Sequence, residues 1–394
     1  MTASRSNIWG SGSPSASFAP SPVVEFLPDN SKKADLRAAV ERLGRTQDVV
    51  RIALMPDAHV AEDVCVGTVT ATTRRLLPAA VGGDIGCGMV ALRLRCDADL
   101  LADRDRAALV LAGFYAHIPH AMHASKNAPE LPEILRDKSL AGGALDTLKR
   151  REGRLEFATL GRGNHFLEVQ SDDENHLWLL VRSGSRCMGP AIRHHYESRG
   201  ERDPSGLAWL DADSDLGRAY LEDAAWAADY ARTSRAMMVD SALRVFHDHF
   251  GVEADCDNRI EVDHNHVRRE SHSEWLLWVH RKGAMGLGAG ESGVVPGSMG
   301  SESFHVEGRG FGPALCSSAH GAGREMSRSE ARKRIAKRQL LREAQGVWFD
   351  HRLADRLCEE APSAYKDIGA VMRAQHELVR IVRRLRPVLV YKAA

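Results

Sequence analysis

Asp84-Ile85-Gly86-Cys87-Gly88 follows the apolar run Pro78-Ala79-Ala80-Val81 and leads into Met89 to Arg95, which reads as a strand. A carboxylate and a thiol stand three residues apart among glycines in that pentapeptide. Both are ligands for divalent metals, and a Gly-rich turn can aim both at one point. A lone Cys beside an Asp is weak evidence, because most free cysteines are small buried hydrophobes. The case rests on the His-containing, Gly-rich segments elsewhere that could meet at the same spot.

The 394 residues, 43% of them hydrophobic, suffice for a large core. Lys plus Arg and Asp plus Glu balance at 53 each, so any nucleic-acid site must be a local patch and not a global field. Seven scattered cysteines, at 65, 87, 96, 187, 256, 316 and 358, do not form a disulfide framework and fit a reducing compartment. No apolar run reaches the roughly 18–20 residues of a membrane span, and the first residues do not read as a signal peptide. The expectation is a soluble, cytoplasmic protein.

Residues 1–25, rich in Ser, Ala and Pro, read as a flexible N-terminal tail, and 26–394 as one catalytic domain. A helix from about Lys33 to Leu43, with Ser31 as its cap, precedes strands at Arg51 to Met55 and Val66 to Thr72. Residues 100–150 look helical, with His117, His120 and His123 in a looser surface stretch. Two strands are expected to flank Gly161-Arg162-Gly163-Asn164-His165, and another runs from Leu177 to Arg182. A long scaffold helix spans 214–250, with Leu216, Tyr220, Ala224, Ala228, Met237, Ala242 and Phe246 at helical spacing. Trp275 to His280 is a strand, Lys282 to Gly300 a Gly-rich loop, and Ser303 to Glu307 a strand. Ser318 to Arg324 opens a basic helix, and a helix over about 368–382 and a strand over Pro387 to Tyr391 close the chain. The irregular mixture predicts an α+β fold, a mixed β-sheet core flanked by helices.

Three further segments set a His beside Gly or Asn: Asn164-His165, His264-Asn265 and His320-Gly321. Each alone is more often structural, but together with Asp84 and Cys87 they favour a bound metal. Zinc, manganese, iron or cobalt would suit thiolate, carboxylate and imidazole, and ligands drawn from remote segments are typical of catalytic sites. Ser183-Gly184-Ser185-Arg186 and Pro296-Gly297-Ser298-Met299-Gly300 offer hydroxyls and backbone N–H groups for phosphate, with plain turn formation as the competing role. Neither is a Walker loop, and no dinucleotide fingerprint follows a strand. His320, ahead of Arg324, could act as a nucleophile on phosphorus. From 324 to 342 eight basic residues face two acids, as a phosphate-backbone groove or as a solvated helix face. The residues by themselves indicate a metal-dependent enzyme of phosphate chemistry, with nucleic acid one open substrate class.

Taken together, these motifs resemble the RtcB family of RNA ligases. The matching segments are Met55 to His59, Pro78 to Met89, Leu160 to Glu168, Ser183 to Arg186, His264-Asn265, His280 to Ala284, Pro296 to Gly300, Ala319 to Arg324, Met326 to Arg328, Glu360 to Pro362, Ala364 to Asp367, and Leu385 to Pro387 near Lys392. They keep the family's order and cover about residues 50–394. The resemblance implies joining of RNA 3′-phosphate or 2′,3′-cyclic phosphate ends to 5′-hydroxyl ends with GTP and manganese, in RNA repair or tRNA processing. It implies His320 as the nucleophile that holds GMP, and Asp84, Cys87, His165 and His264 as ligands of two manganese ions, with Cys87 between them. Asn164, Phe166, Glu168, Ser298, Ser303, Ala322, Gly323, Tyr365 and Lys392 would surround the nucleotide. Arg186 and Lys282 would hold RNA-end phosphates, and Asp57 would sit near the metals.

One position departs from the family. Arg182 stands where the family has a metal-binding His before Ser-Gly-Ser-Arg, and Cys187 replaces the Gly after it. A guanidinium has no lone pair for a metal and repels one. His194, His195 or His266 could substitute, the site could work with one metal, or ligation could be lost. The alternatives to a ligase are therefore a one-metal guanylyltransferase or cyclic phosphodiesterase relative, and a ligation-inactive RNA-binding paralogue. The Gly-rich stretch 283–295 is also shorter than is usual in the family, which suggests a compact branch.

Overall fold

The computed structural model describes residues 22–28 and 34–393. Two antiparallel-rich sheets face each other. One has five strands, in the order Val23–Glu25, Val49–His59, Val66–Thr72, Trp275–Lys282 and Asn265–His272. The other has seven: Ala254–Asp263, Gly88–Asp97, His176–Ser183, Phe166–Asp172, Val379–Tyr391, Ser303–Gly308 and Ser292–Val295.

The alternation of side chains along these strands explains the layering. Ala53 and Met55 of the first sheet meet Met89, Ala91, Trp178 and Leu180 of the second in one buried core. The intervening Val90, Leu92, Leu94, Leu179 and Val181 point the other way, onto helices Arg104–His117 and Asp215–Phe250. Ile52 and Leu54 likewise turn outward to the helix Ala34–Gly44. The strand after the Asp84–Gly88 pentapeptide is apolar on both faces because a sheet covers one and helices the other. The fold is α+β, as expected.

The helix Asp215–Phe250 has 36 residues, capped by Ser214, whose hydroxyl accepts from Gly217 N (3.0 Å), and stopped by Gly251 in the left-handed region. At ~1.5 Å per residue it is about 54 Å long.

Several local expectations need correction. Only one strand, Phe166–Asp172, adjoins Gly161 to His165; the chain before it is helical at Arg154–Glu156. The Gly-rich stretch contains two short strands, Ala284–Gly286 and Ser292–Val295, because pairing with Ser317–Ala319 and Ser303–Gly308 satisfies its backbone. The basic helix starts at Arg328, not at His320, and breaks at Ile335-Ala336 before resuming at Lys337–Glu343. At the C-terminus the helix ends at Ala374, and the strand begins at Val379. Most of the expected tail, and Ser31, lie outside the described residues, whereas Val23–Glu25 pairs parallel with Ile52 to Leu54. Among the described residues no helix is long and apolar enough to cross a membrane.

Candidate active site

Antiparallel pairing brings the start of one strand beside the end of its neighbour, and this gathers the motifs on one rim. Gly88 pairs with Ser183 and with Asp263, and Phe166 pairs with Arg182. The segments before Gly88 and Phe166 and after Ser183 and Asp263 therefore emerge together. The first sheet adds Asp57 and His59 at the end of one strand and Lys282, opposite Asn265, at the end of another.

The pentapeptide turn is clamped from several sides. Asn265 donates to Asp84 O (2.9 Å), Gly86 N to Asn265 O (2.8 Å) and His264 N to Cys87 O (2.9 Å). Gly86 has φ +72, and a Cβ there would lie 2.5 Å from Ala228 Cα of the long helix, so only glycine allows this docking. Arg235, buried on the same helix, donates to Gly86 O (2.9 Å) and Ser183 O (3.0 Å). It ties together the two loops that carry the carboxylate, the thiol and the Ser-Gly-Ser-Arg motif.

Asp84, Cys87 and His165 form a compact donor group, with their ligand atoms all within 4.8 Å of one another. His165 Nε2 is 2.9 Å from Asp84 Oδ2 and 3.6 Å from Cys87 Sγ. Ser185 N donates to Asp84 Oδ1 (3.1 Å), and a Cβ on Gly184 would strike that same oxygen at 2.1 Å. Burial works against the Asp84 charge, but His165, the hydrogen bonds from His165 and Cys87, and Arg186 prevail and hold the carboxyl at about 2. Burial lowers the His165 pKa, which favours the neutral imidazole, and a cation bound at Nε2 would replace the proton that this nitrogen shares with Asp84. Burial and then the Asp84 charge push the Cys87 thiol far up, so a cation binding here must displace its proton. An ionised carboxylate, a neutral imidazole and a thiol fit one divalent transition metal.

His264 does not join this group. Its Nε2 is 3.3 Å from Arg182 Nη2, its ring lies 4.7 Å from the His320 ring, and its buried Nδ1 has no hydrogen-bond partner. Burial first, then the Arg182 charge, press its pKa well below the usual value. None of the three histidines that could have replaced the missing ligand is in the donor group. His266 is held 2.9 Å from Asp263 and 3.1 Å from Arg281 Nη1. His194 is exposed and His195 packs against Gly142. Arg186 stands 3.4 Å from His165 Nδ1, whereas the buried Lys282 packs along Gly82, where burial and then Arg193 lower it to about 8.

His320 follows the short ribbon of Ala284–Gly286 and Ser317–Ala319. Its Nδ1 is 2.6 Å from Oδ2 of the fully buried Asp57, and its backbone N is 3.2 Å from the same oxygen. Asp57 Oδ1 is buried without a hydrogen-bond partner. No helix N-terminus follows His320, so helix-end amides are not available to it.

Beside His320 opens a cleft. Asn164, Phe166, Glu168, Ser298, Ser303, Ala322, Gly323, Tyr365 and Lys392 all line it. Its polar wall is organised by Glu360, a lining residue that motif reading left without a role. Glu360 accepts from Tyr365 OH (2.5 Å), Arg328 Nη1 (2.5 Å) and Arg324 Nη1 (3.4 Å), and lies 2.9 Å from Lys392 Nζ. Burial opposes its charge, but Lys392 and Arg328 hold it at about 2. Arg328 also donates to Asn164 Oδ1. Arg324 and Arg328, read from the sequence as part of a basic groove, are thus committed to this carboxylate cluster. His59, another lining residue without an assigned role, has its Nδ1 3.0 Å from Asp57 O, and burial lowers its pKa to about 4.

The sequence comparisons agree with this arrangement. The family model described as "tRNA-splicing ligase RtcB" matches residues 39–144 and 130–393. The RNA-splicing ligase RtcB of Escherichia coli (strain K12) is 33% identical over 369 residues, 86% of this chain and 90% of that protein. RNA-splicing ligase RtcB2 of a second Escherichia coli strain is 30% identical, covering 90% of this chain and 92% of its own. The tRNA-splicing ligase RtcB of Nanoarchaeum equitans is 28% identical, covering 87% and 88%. A match over nearly the whole described chain, with the motifs gathered on one rim, shows that this chain belongs to the RtcB family of ligase enzymes.

Proposed function

We propose that this chain seals RNA 3′-phosphate or 2′,3′-cyclic phosphate ends to 5′-hydroxyl ends, using GTP and manganese. The observation that carries the reading is His320 in the wall of the cleft, its Nδ1 2.6 Å from Asp57 Oδ2, on the rim where the Asp84, Cys87 and His165 donors also gather.

The Asp57 carboxylate, 2.6 Å from His320 Nδ1, favours a proton on that nitrogen and so a lone pair on Nε2. Nε2 forms a bond to the α-phosphorus of GTP as the bond to the β-phosphate oxygen breaks, and pyrophosphate leaves. Asp57 stabilises the positive imidazole that results. An oxygen of the RNA 3′-phosphate then takes the GMP, breaking the N–P bond. The 5′-hydroxyl oxygen attacks the activated 3′-phosphorus, loses its proton and expels GMP. Water first opens a cyclic end to the 3′-phosphate. Asp84, Cys87 and His165 would hold the metal, which when bound neutralises phosphate charge and orients the groups that react. Glu168 accepts from donor groups of the guanine edge, and Arg186, beside His165, donates to RNA-end phosphate. We assign the work to RNA repair in the cytoplasm, a setting that suits seven free cysteines.

Incubation with α-labelled GTP and manganese should leave label on the protein in a denaturing gel, and His320→Ala should abolish it. Label that survives His320→Ala would sink the guanylyl-histidine step. The Arg182–His264 contact favours a second reading, a one-metal guanylyltransferase or phosphodiesterase relative. That reading predicts label on His320 with no joined RNA product.

A further inference from the structure

We propose that the Arg182 guanidinium takes the place of a second divalent cation: the protein holds one metal, at Asp84, Cys87 and His165, and Arg182 meets the α-phosphate. The inference rests on reading the cleft as the GTP site.

The donor atoms sort into one convergent and one pre-empted position. Asp84, Cys87 and His165 converge on a single point. The other group of possible ligands among the described residues, Asp172, Glu174 and His176, is engaged elsewhere, with Asp172 accepting from Trp178 Nε1 (2.8 Å) and lying 3.2 Å from Arg383. His264 faces Arg182 across 3.3 Å. A guanidinium only donates, so His264 Nε2 must carry its lone pair toward Arg182 and cannot also offer it to an ion. The Arg182 charge stands where a second ion would need to approach His264.

Charge accounting in the cleft leads to the same residue. Arg324 and Lys392 line the cleft and are paired with Glu360, as is Arg328. Arg182 also lines it, but no carboxylate among the described residues pairs with it, and its Nε is buried without a hydrogen-bond partner. It is the unspent positive charge facing His320, and its planar fork suits two phosphate oxygens.

Protein stripped with chelator, reloaded with manganese and freed of excess should carry one manganese per chain by elemental analysis, and Arg182→His should carry two. Two tightly held ions in the wild type would overturn the inference. Arg182→Ala should weaken binding of a GTP analogue with a methylene between the α- and β-phosphates by about tenfold or more. Binding of guanosine should stay unchanged. An equal loss for guanosine would reduce Arg182 to a structural role and also overturn the inference. If one manganese and Arg182-dependent phosphate binding are found but no GMP attaches to His320, the ligase reading fails and the inference stands.

Discussion

Glu168 sits 4% exposed in the cleft, accepting from Gln170 Nε2 at 2.6 Å, and burial pushes its carboxyl up from 4.5 to about 8. The unfolded chain loses this proton near 4.5, so between there and about 8 the folded state binds one proton more than the unfolded state. This contribution to stability is present below the lower value and is lost as the pH rises to the upper one. Glu168→Gln should flatten that slope in urea unfolding followed from about pH 5 to about pH 8. Guanine N–H donors favour the ionised carboxylate, so GTP binding near neutral pH should release a proton. Calorimetry in buffers of different ionisation enthalpy should register that proton for the wild type and not for Glu168→Gln. Asp57 acts through His320, and Asp57→Asn should slow guanylylation by roughly 10²–10⁴-fold with little change in GTP affinity. Single-turnover labelling against equilibrium binding of the methylene analogue separates the two effects. The nine residues that motifs pointed to all line the cleft, but Glu360 could not be given a role, because its importance lies in partners that only folding assembles: Tyr365, five positions away, and Arg328, Arg324 and Lys392, 32 to 36 positions away.

The long helix shows what an element can do beyond filling space. Its apolar spacing was legible over 214–250, and the structure places it at Asp215–Phe250. Its part in the site was not legible, since Arg235 looks in sequence like any polar residue between turns. Buried, Arg235 donates to two carbonyls and so holds the Asp84–Gly88 turn to the Ser-Gly-Ser-Arg loop. Arg235→Ala should cost roughly 3 kcal/mol, the scale of losing two charge-assisted hydrogen bonds to buried acceptors. Denaturant unfolding measures that loss, and elemental analysis should show manganese retention falling with it. The basic stretch teaches the opposite lesson. Counting charges from 324 to 342 suggested one continuous helix face, but Arg324 and Arg328 turn inward to Glu359 and Glu360, and the helix breaks at Ile335-Ala336. Charge counts do not report which cations already have partners.

Across the whole molecule, the donor group ties together segments 78 and 81 residues apart in sequence. A metal bound only by the folded chain should therefore stabilise all of it, by about 2.7 kcal/mol when free manganese is a hundred times its Kd. Thermal unfolding should move upward with added manganese and return with chelator, and Cys87→Ser should remove most of the shift. The sequence alone determined the mixed α+β class, most of the strands, the long helix, family membership and the chemistry of the donors, because periodicity and motif spacing act over a few neighbouring residues. It also exposed Arg182 as the position out of pattern. The tertiary structure alone decided that three of the four expected ligands converge while His264 turns to Arg182, and that Glu360 gathers the cations of the cleft. Those outcomes depend on strand register and on burial, which bring remote side chains within a few ångströms, and no local pattern encodes which of them will meet.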